Sequence, residues 1–135
     1  MTHPVTVAGI DHLVLRIRDK ARMLQFYCGV LGLPDDRDRP ELGLTHIRVG
    51  NDLIDLVTID GPLGRKGGVA PGEQARNLDH FCLRVRPFNE AQIRAHLAAH
   101  EVPIDEAGER YGADGNGMSL YIRDPEGNVI ELKGP

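Results

Sequence analysis

Two histidines stand at the same place in two copies of one segment. Ile10-Asp11-His12-Leu13-Val14-Leu15-Arg16-Ile17-Arg18 returns as Leu78-Asp79-His80-Phe81-Cys82-Leu83-Arg84-Val85-Arg86, with five of the nine positions identical. Two acidic residues recur in the same way. Gly50-Asn51-(Asp52)-Leu53-Ile54-Asp55-Leu56 aligns with Gly127-Asn128-Val129-Ile130-Glu131-Leu132, which makes Asp55 and Glu131 counterparts. Imidazoles combined with carboxylates are a donor set for Zn, Ni, Fe, Mn or Co, whereas calcium takes an all-oxygen cage.

An internal repeat dictates architecture, so the elements that carry these residues are read from it. Each copy opens on an alternating strand. Leu13, Leu15 and Ile17 lie on one face and His12, Val14 and Arg16 on the other; Phe81, Leu83 and Val85 oppose His80, Cys82 and Arg84. A helix follows in each copy, capped by Asp19 and reaching about Leu31, or capped by Asn89 and reaching about His100. Pro34 to Pro40 reads as a charged loop. Strands are expected over 44–49, 53–59, 119–123 and 129–133, and a glycine-rich loop over 105–118. The apolar strand faces must cover the helices. Both histidines and both carboxylates then point away from them, and His46 and Tyr121 occupy equivalent positions on that same side. Module 7–59 and module 77–134, joined by linker 60–76, are expected to form a single domain, because each half alone is near the marginal limit for an independent core.

Composition excludes several classes of function. Sixteen Lys+Arg against 20 Asp+Glu leave a net charge of −4, which offers no field for nucleic acid or an acidic membrane. Six aromatics and no Trp give no base-stacking platform. No early apolar run is long enough for a signal peptide or membrane span, so a cytoplasmic protein is expected. Cys28 and Cys82 are isolated in apolar contexts and are expected to be buried free thiols.

These residues resemble the vicinal oxygen chelate superfamily, also called the glyoxalase/bleomycin resistance/dioxygenase superfamily. The resemblance rests on Asp11-His12-Leu13-Val14-Leu15, Phe26-Tyr27-Cys28-Gly29-Val30-Leu31-Gly32-Leu33, Leu78-Asp79-His80 and Tyr121-Ile122-Arg123-Asp124-Pro125-Glu126-Gly127-Asn128-Val129-Ile130-Glu131. It implies an α+β fold of two tandem βαβββ modules forming a half-open curved barrel around one divalent metal ion. It implies ligands at His12, His80 and Glu131, and a fourth position at Asp55. Aspartate is one methylene shorter than the glutamate often found there, so Asp55 either binds directly or acts through water or as a base.

The activity implied is that of a glyoxalase-like lyase or isomerase on a small bidentate carbonyl or hydroxy acid. The metal would stabilise an enediolate or oxyanion, and Asp55 or Glu131 would move the proton. An Fe(II) extradiol dioxygenase is the second reading, with Tyr121 and His46 near the reacting atoms. A fosfomycin-type transferase or a bleomycin-type binding protein are further ones. Arg16 and Arg84 share the histidine faces and are candidates for a substrate carboxylate, as is Arg110. A homodimer is implied as well, and the site is formed either within one chain or across two. His96 and His100 lie four apart on a helix, with no glutamate between them, and read as helix surface.

Overall fold

The computed structural model describes residues 3–135. Each copy of the repeat builds a four-stranded sheet. In the first, β1 (His12–Ile17), β2 (Asp35–Arg39), β3 (Leu44–Val49) and β4 (Asp52–Thr58) are ordered β1-β4-β3-β2. In the second, β5 (Phe81–Arg84), β6 (Glu106–Gly112), β7 (Gly115–Arg123) and β8 (Val129–Lys133) are ordered β5-β8-β7-β6. First and last strands of each module pair in parallel, and the other pairs are antiparallel. The two sheets do not close into a barrel, in keeping with the half-open curved form expected.

The helices arise where the caps predict. Asp19 accepts from the Arg22 amide ahead of α1 (Lys20–Leu24), and Asn89 accepts from the Gln92 amide ahead of α2 (Glu90–Ala99). The first helix does not run on regularly to Leu31. It widens into a π-helical segment at Gln25–Val30, where the Leu31 amide reaches back to Phe26 O at 3.0 Å. Phe26 and Tyr27 of this segment are both buried in the core, their rings meeting edge to face at 5.1 Å.

Three expectations are corrected. Asp35–Arg39 is a strand, not a loop: five charged side chains do not prevent backbone pairing at an exposed sheet edge, where charge is common. Residues 105–118 are not a glycine-rich loop but β6 and most of the first half of β7, turning at Gly115 with φ +98°. Glycines suppressed the strand signal because they carry no side chain to alternate. Cys82 is exposed, as it lies on the outward face of β5, whereas Cys28 is half-buried; both are free.

One core serves both modules. Leu15, Ile17, Met23, Phe26, Tyr27, Ile54 and Leu56 join Phe81, Leu97, Leu120, Ile122, Ile130 and Leu132 in a continuous apolar cluster. A polar clasp fixes the modules beside it. The Asn77 carboxamide accepts from Arg16 N and donates to Arg16 O, the Glu126 carboxylate accepts from the amides of Arg18 and Asp19, and Tyr27 OH donates to Asp124 Oδ2 at 2.7 Å. Among the described residues no helix is long and apolar enough to cross a membrane.

Candidate functional site

Strand parity puts the chemistry-bearing residues on the sheet faces turned away from this core. On β1, Leu15 and Ile17 are fully buried, whereas His12 and Val14 are exposed. On β4 and β8 the carboxylates of Asp55 and Glu131 are both about 95% buried, walled in by neighbouring strands. Register sets what each one meets. Asp55 lies between Val14 and His46, and Glu131 between Cys82 and Tyr121. The sequence alignment of Asp55 with Glu131 and of His46 with Tyr121 therefore holds as a spatial equivalence.

Two half-sites result. In the second module, His80 Nδ1 is 2.6 Å from Asp79 Oδ2, and His80 Nε2 is 3.2 Å from Glu131 Oε1. A carboxylate only accepts, so Nδ1 carries the proton given to Asp79. In the neutral ring Nε2 and Oε1 then face each other as two acceptors, an arrangement that calls for a cation or proton between them. The other oxygen of Glu131 is held by the fully buried Ser119 hydroxyl at 2.5 Å. The Tyr121 ring meets His80 edge-on at 5.8 Å, and burial, then Glu131, pushes its hydroxyl pKa up. Arg110 lies over that ring with Cζ 5.5 Å from its centre, also paired to Glu106 at 2.7 Å.

The first module repeats the pattern with a difference. His12 Nδ1 is 2.7 Å from Asp11 Oδ1, a bond that raises the imidazole pKa, helped by the Asp55 charge. His12 Nε2 faces Asp55 Oδ2 at 3.8 Å, whereas the other oxygen of Asp55 is engaged by His46 Nδ1 at 2.7 Å. Asp55 therefore sits between two imidazoles, with His46 holding it back on β3. A histidine whose inner nitrogen is fixed by a carboxylate while its outer nitrogen stays available is the usual form of a metal-binding histidine. The donors fit a divalent transition metal in type. Among the described residues, however, no three His, Cys, Asp or Glu side chains converge to hold one. Each module supplies a pair.

The arginines expected at the site are engaged elsewhere to differing degrees. Arg16 donates to the carbonyls of Gly64, Gly68 and Val69, tethering the linker. Arg84 shares Asp114 with Arg86, at 2.5 and 2.9 Å. His96 Nε2 contacts Val30 O at 2.8 Å, between the two helices. Sequence reasoning missed Ser119, Asp11 and Asp79. The aspartates had left a signal, since each precedes its histidine in both copies of the repeat; Ser119 left one only in its shared parity with Tyr121.

A family model of the glyoxalase/bleomycin resistance protein/dioxygenase superfamily matches residues 9–132. The chain belongs to that superfamily. A virulence protein of Salmonella typhimurium is 30% identical over 91% of this chain and 81% of its own length. Its crystal structure matches with a TM-score of 0.79 at 28% identity, covering 96% of this chain and 98% of that one. The crystal structure of a lactoylglutathione lyase from Agrobacterium tumefaciens matches with a TM-score of 0.70 at 26% identity, over 96% and 95% of the two chains. A catechol-2,3-dioxygenase of Bacillus subtilis is 29% identical over 91% of this chain but only 40% of its own length. Superfamily relatives thus include a lyase and a dioxygenase, and enzymes of this superfamily generally use a divalent metal.

Proposed function

We propose that this superfamily member is a divalent-metal-dependent lyase or isomerase acting on a small substrate with two adjacent oxygen donors, and that it works as a homodimer. The observation that carries the reading is the duplicated arrangement of aspartate, histidine and carboxylate, with Nε2 and a carboxylate oxygen left facing each other in each module. Two donors are too few to hold a metal tightly. His12 and Asp55 of one copy joined to His80 and Glu131 of a second copy make four. Val7, Ile10 and Val14, apolar residues 79%, 80% and 48% exposed along the chain that carries His12, are the kind of surface a second copy would cover. Residues 7–59 and 77–134 act in this reading as one domain whose two halves each serve a different site.

A divalent ion held there would supply Lewis acidity, stabilising negative charge on the substrate oxygens. The chain's own residues do the rest. Glu131, steadied by Ser119, and Asp55, steadied by His46, flank the reacting atoms, and one of them takes the proton alpha to the carbonyl. Tyr121 keeps its proton, because its pKa is raised, and so donates a hydrogen bond to a substrate oxygen. Arg110 stands beside it as a counter-charge.

One observation favours a second reading. His46 occupies Asp55 Oδ1, and Oδ2 stays 3.8 Å from His12 Nε2. With Asp55 withheld, His12, His80 and Glu131 form the two-histidine, one-carboxylate set of extradiol dioxygenases. The test is to mix His12→Ala with His80→Ala protein after mild dissociation. A site shared between copies restores one intact site per mixed dimer, and random reassociation of equal amounts makes about half of the dimers mixed, so metal content recovers to about a quarter of the wild-type level. No recovery on mixing means that the site lies within one chain; no metal in wild type removes the metalloenzyme reading. Oxygen uptake with a catechol selects the dioxygenase, and isomerisation of a hemithioacetal without oxygen selects the lyase.

A further inference from the structure

Lys133 is buried on the same face as Glu131, two residues further along β8, and is 7% exposed. Lysine is almost never buried without a partner. The ammonium of Lys133 makes one hydrogen bond, to Gly134 O at 3.3 Å, and no carboxylate oxygen lies within 4.0 Å of it among the described residues. Its cationic neighbours on this face are partnered: Arg84, directly beside it in register, with Asp114, and Arg110 with Glu106. Two of the three donors of Lys133 are left over.

The fold does not require a cation there. The corresponding position of the first module, two residues beyond Asp55, is Val57, which is equally buried and apolar. The second module has instead cleared room for a charged chain. A Cβ on Gly112 would come within 3.0 Å of Lys133 Cε, and one on Gly117 within 2.4 Å of Gly134 O, the atom that receives the ammonium. A Cβ on Gly108 would lie 2.5 Å from Arg110 Nη1. Three glycines of β6 and β7 thus leave a floor without side chains, crossed by Lys133 from one side and Arg110 from the other. Alternate residues of a strand are about 7 Å apart. Lys133 consequently stands one substrate group away from Glu131.

We propose that Lys133 binds an anionic oxygen group of the substrate, a carboxylate or a phosphate-like group, next to the oxygen pair held between His80 and Glu131. The inference rests on the metal-site reading above for the position of that oxygen pair. It narrows the substrate class to oxygen chelators that carry an additional negative charge. Lysine suits this task as a compact point charge.

Isothermal titration of the purified protein with malonate and, separately, with inorganic phosphate tests the proposal, with metal content measured on the same samples. Wild type is expected to bind one of the two, which identifies the group as carboxylate or phosphate. Lys133→Met is expected to weaken that binding at least tenfold at unchanged metal content. Lys133→Arg should stay within threefold, and Gly112→Ala, which displaces the lysine stem, should weaken it severalfold. Wild type that binds neither probe, or Lys133→Met protein that binds as well as wild type, overturns the proposal. A weakened dimer with unaltered anion binding also overturns it, since Lys133 then meets a carboxylate of a second copy. Lys133-dependent binding in a protein that holds no metal would sink the metal reading and leave the anion site standing.

Discussion

Ser119→Ala is the most informative single change to the site. The Ser119 hydroxyl is fully buried and donates to Glu131 Oε2 at 2.5 Å, on a carboxylate that is itself 95% buried. Alanine removes the donor without adding bulk. A hydrogen bond to a charged group contributes about 1.5–3 kcal/mol, which corresponds to roughly ten- to a hundredfold in an equilibrium constant. Residues that orient a ligand typically cost about 10–100-fold in metal affinity when removed. Water cannot readily replace the lost donor, because Glu131 is enclosed by β5 and β7. The expected outcome is therefore a loss of at least tenfold in Co(II) or Zn(II) affinity, read by competition with a chromophoric chelator. Thr45→Ala is the control. It removes another buried hydroxyl bond, to Asp38 Oδ1 at 2.8 Å, from the face of β3 opposite His46 and with no contact to His80 or Glu131, so it should lower stability and leave metal affinity alone. If Ser119→Ala binds metal within twofold of wild type while Glu131→Ala does not, Ser119 has no part in holding the ligand and the reasoning is refuted.

Two further outcomes follow from the clasp and from the outward face. Tyr27→Phe removes the buried donor to Asp124 and should lower stability at neutral pH by about 1.5–3 kcal/mol, measured by urea denaturation. Burial raises the Asp124 pKa, so its contribution to stability is fully present below the unfolded carboxylate value and is lost as pH rises through the folded one. Removing the tyrosine hydroxyl raises the folded value further, which makes the Tyr27→Phe deficit largest at neutral pH and smaller in acid; a deficit that grows on acidification contradicts this. The Cys82 thiol is pushed up to about 11, first by burial of its sulfur and then by the Glu131 charge, although the residue as a whole is exposed. At pH 8 only about one thiol in a thousand is then ionised, and alkylation by iodoacetamide should be far slower than for a free cysteine. Glu131→Gln should accelerate it, and equal rates in the two proteins would remove Glu131 as a cause.

The repeat alone determined much of this protein. Periodicity of two in Leu13, Leu15 and Ile17 against His12, Val14 and Arg16 assigned faces correctly, because side chains alternate across any strand whatever its neighbours. The matched endings made Asp55 equivalent to Glu131, and the sheet registers bear that out. Asp19 and Asn89 marked both helix starts, since capping is a local hydrogen bond. Tertiary structure decided what depends on backbone pairing between distant segments. Asp35–Arg39 and Glu106–Gly112 are strands because β3 and β7 present free edges to them, and their charged or glycine-rich sequences carry no trace of it. Only the folded chain showed that Asp55 is engaged by His46 while Glu131 is engaged by Ser119, and that Lys133 lies buried across a floor of glycines. Those are contacts of reach and burial. A strand pattern states which way a side chain points, and packing alone states what it meets there.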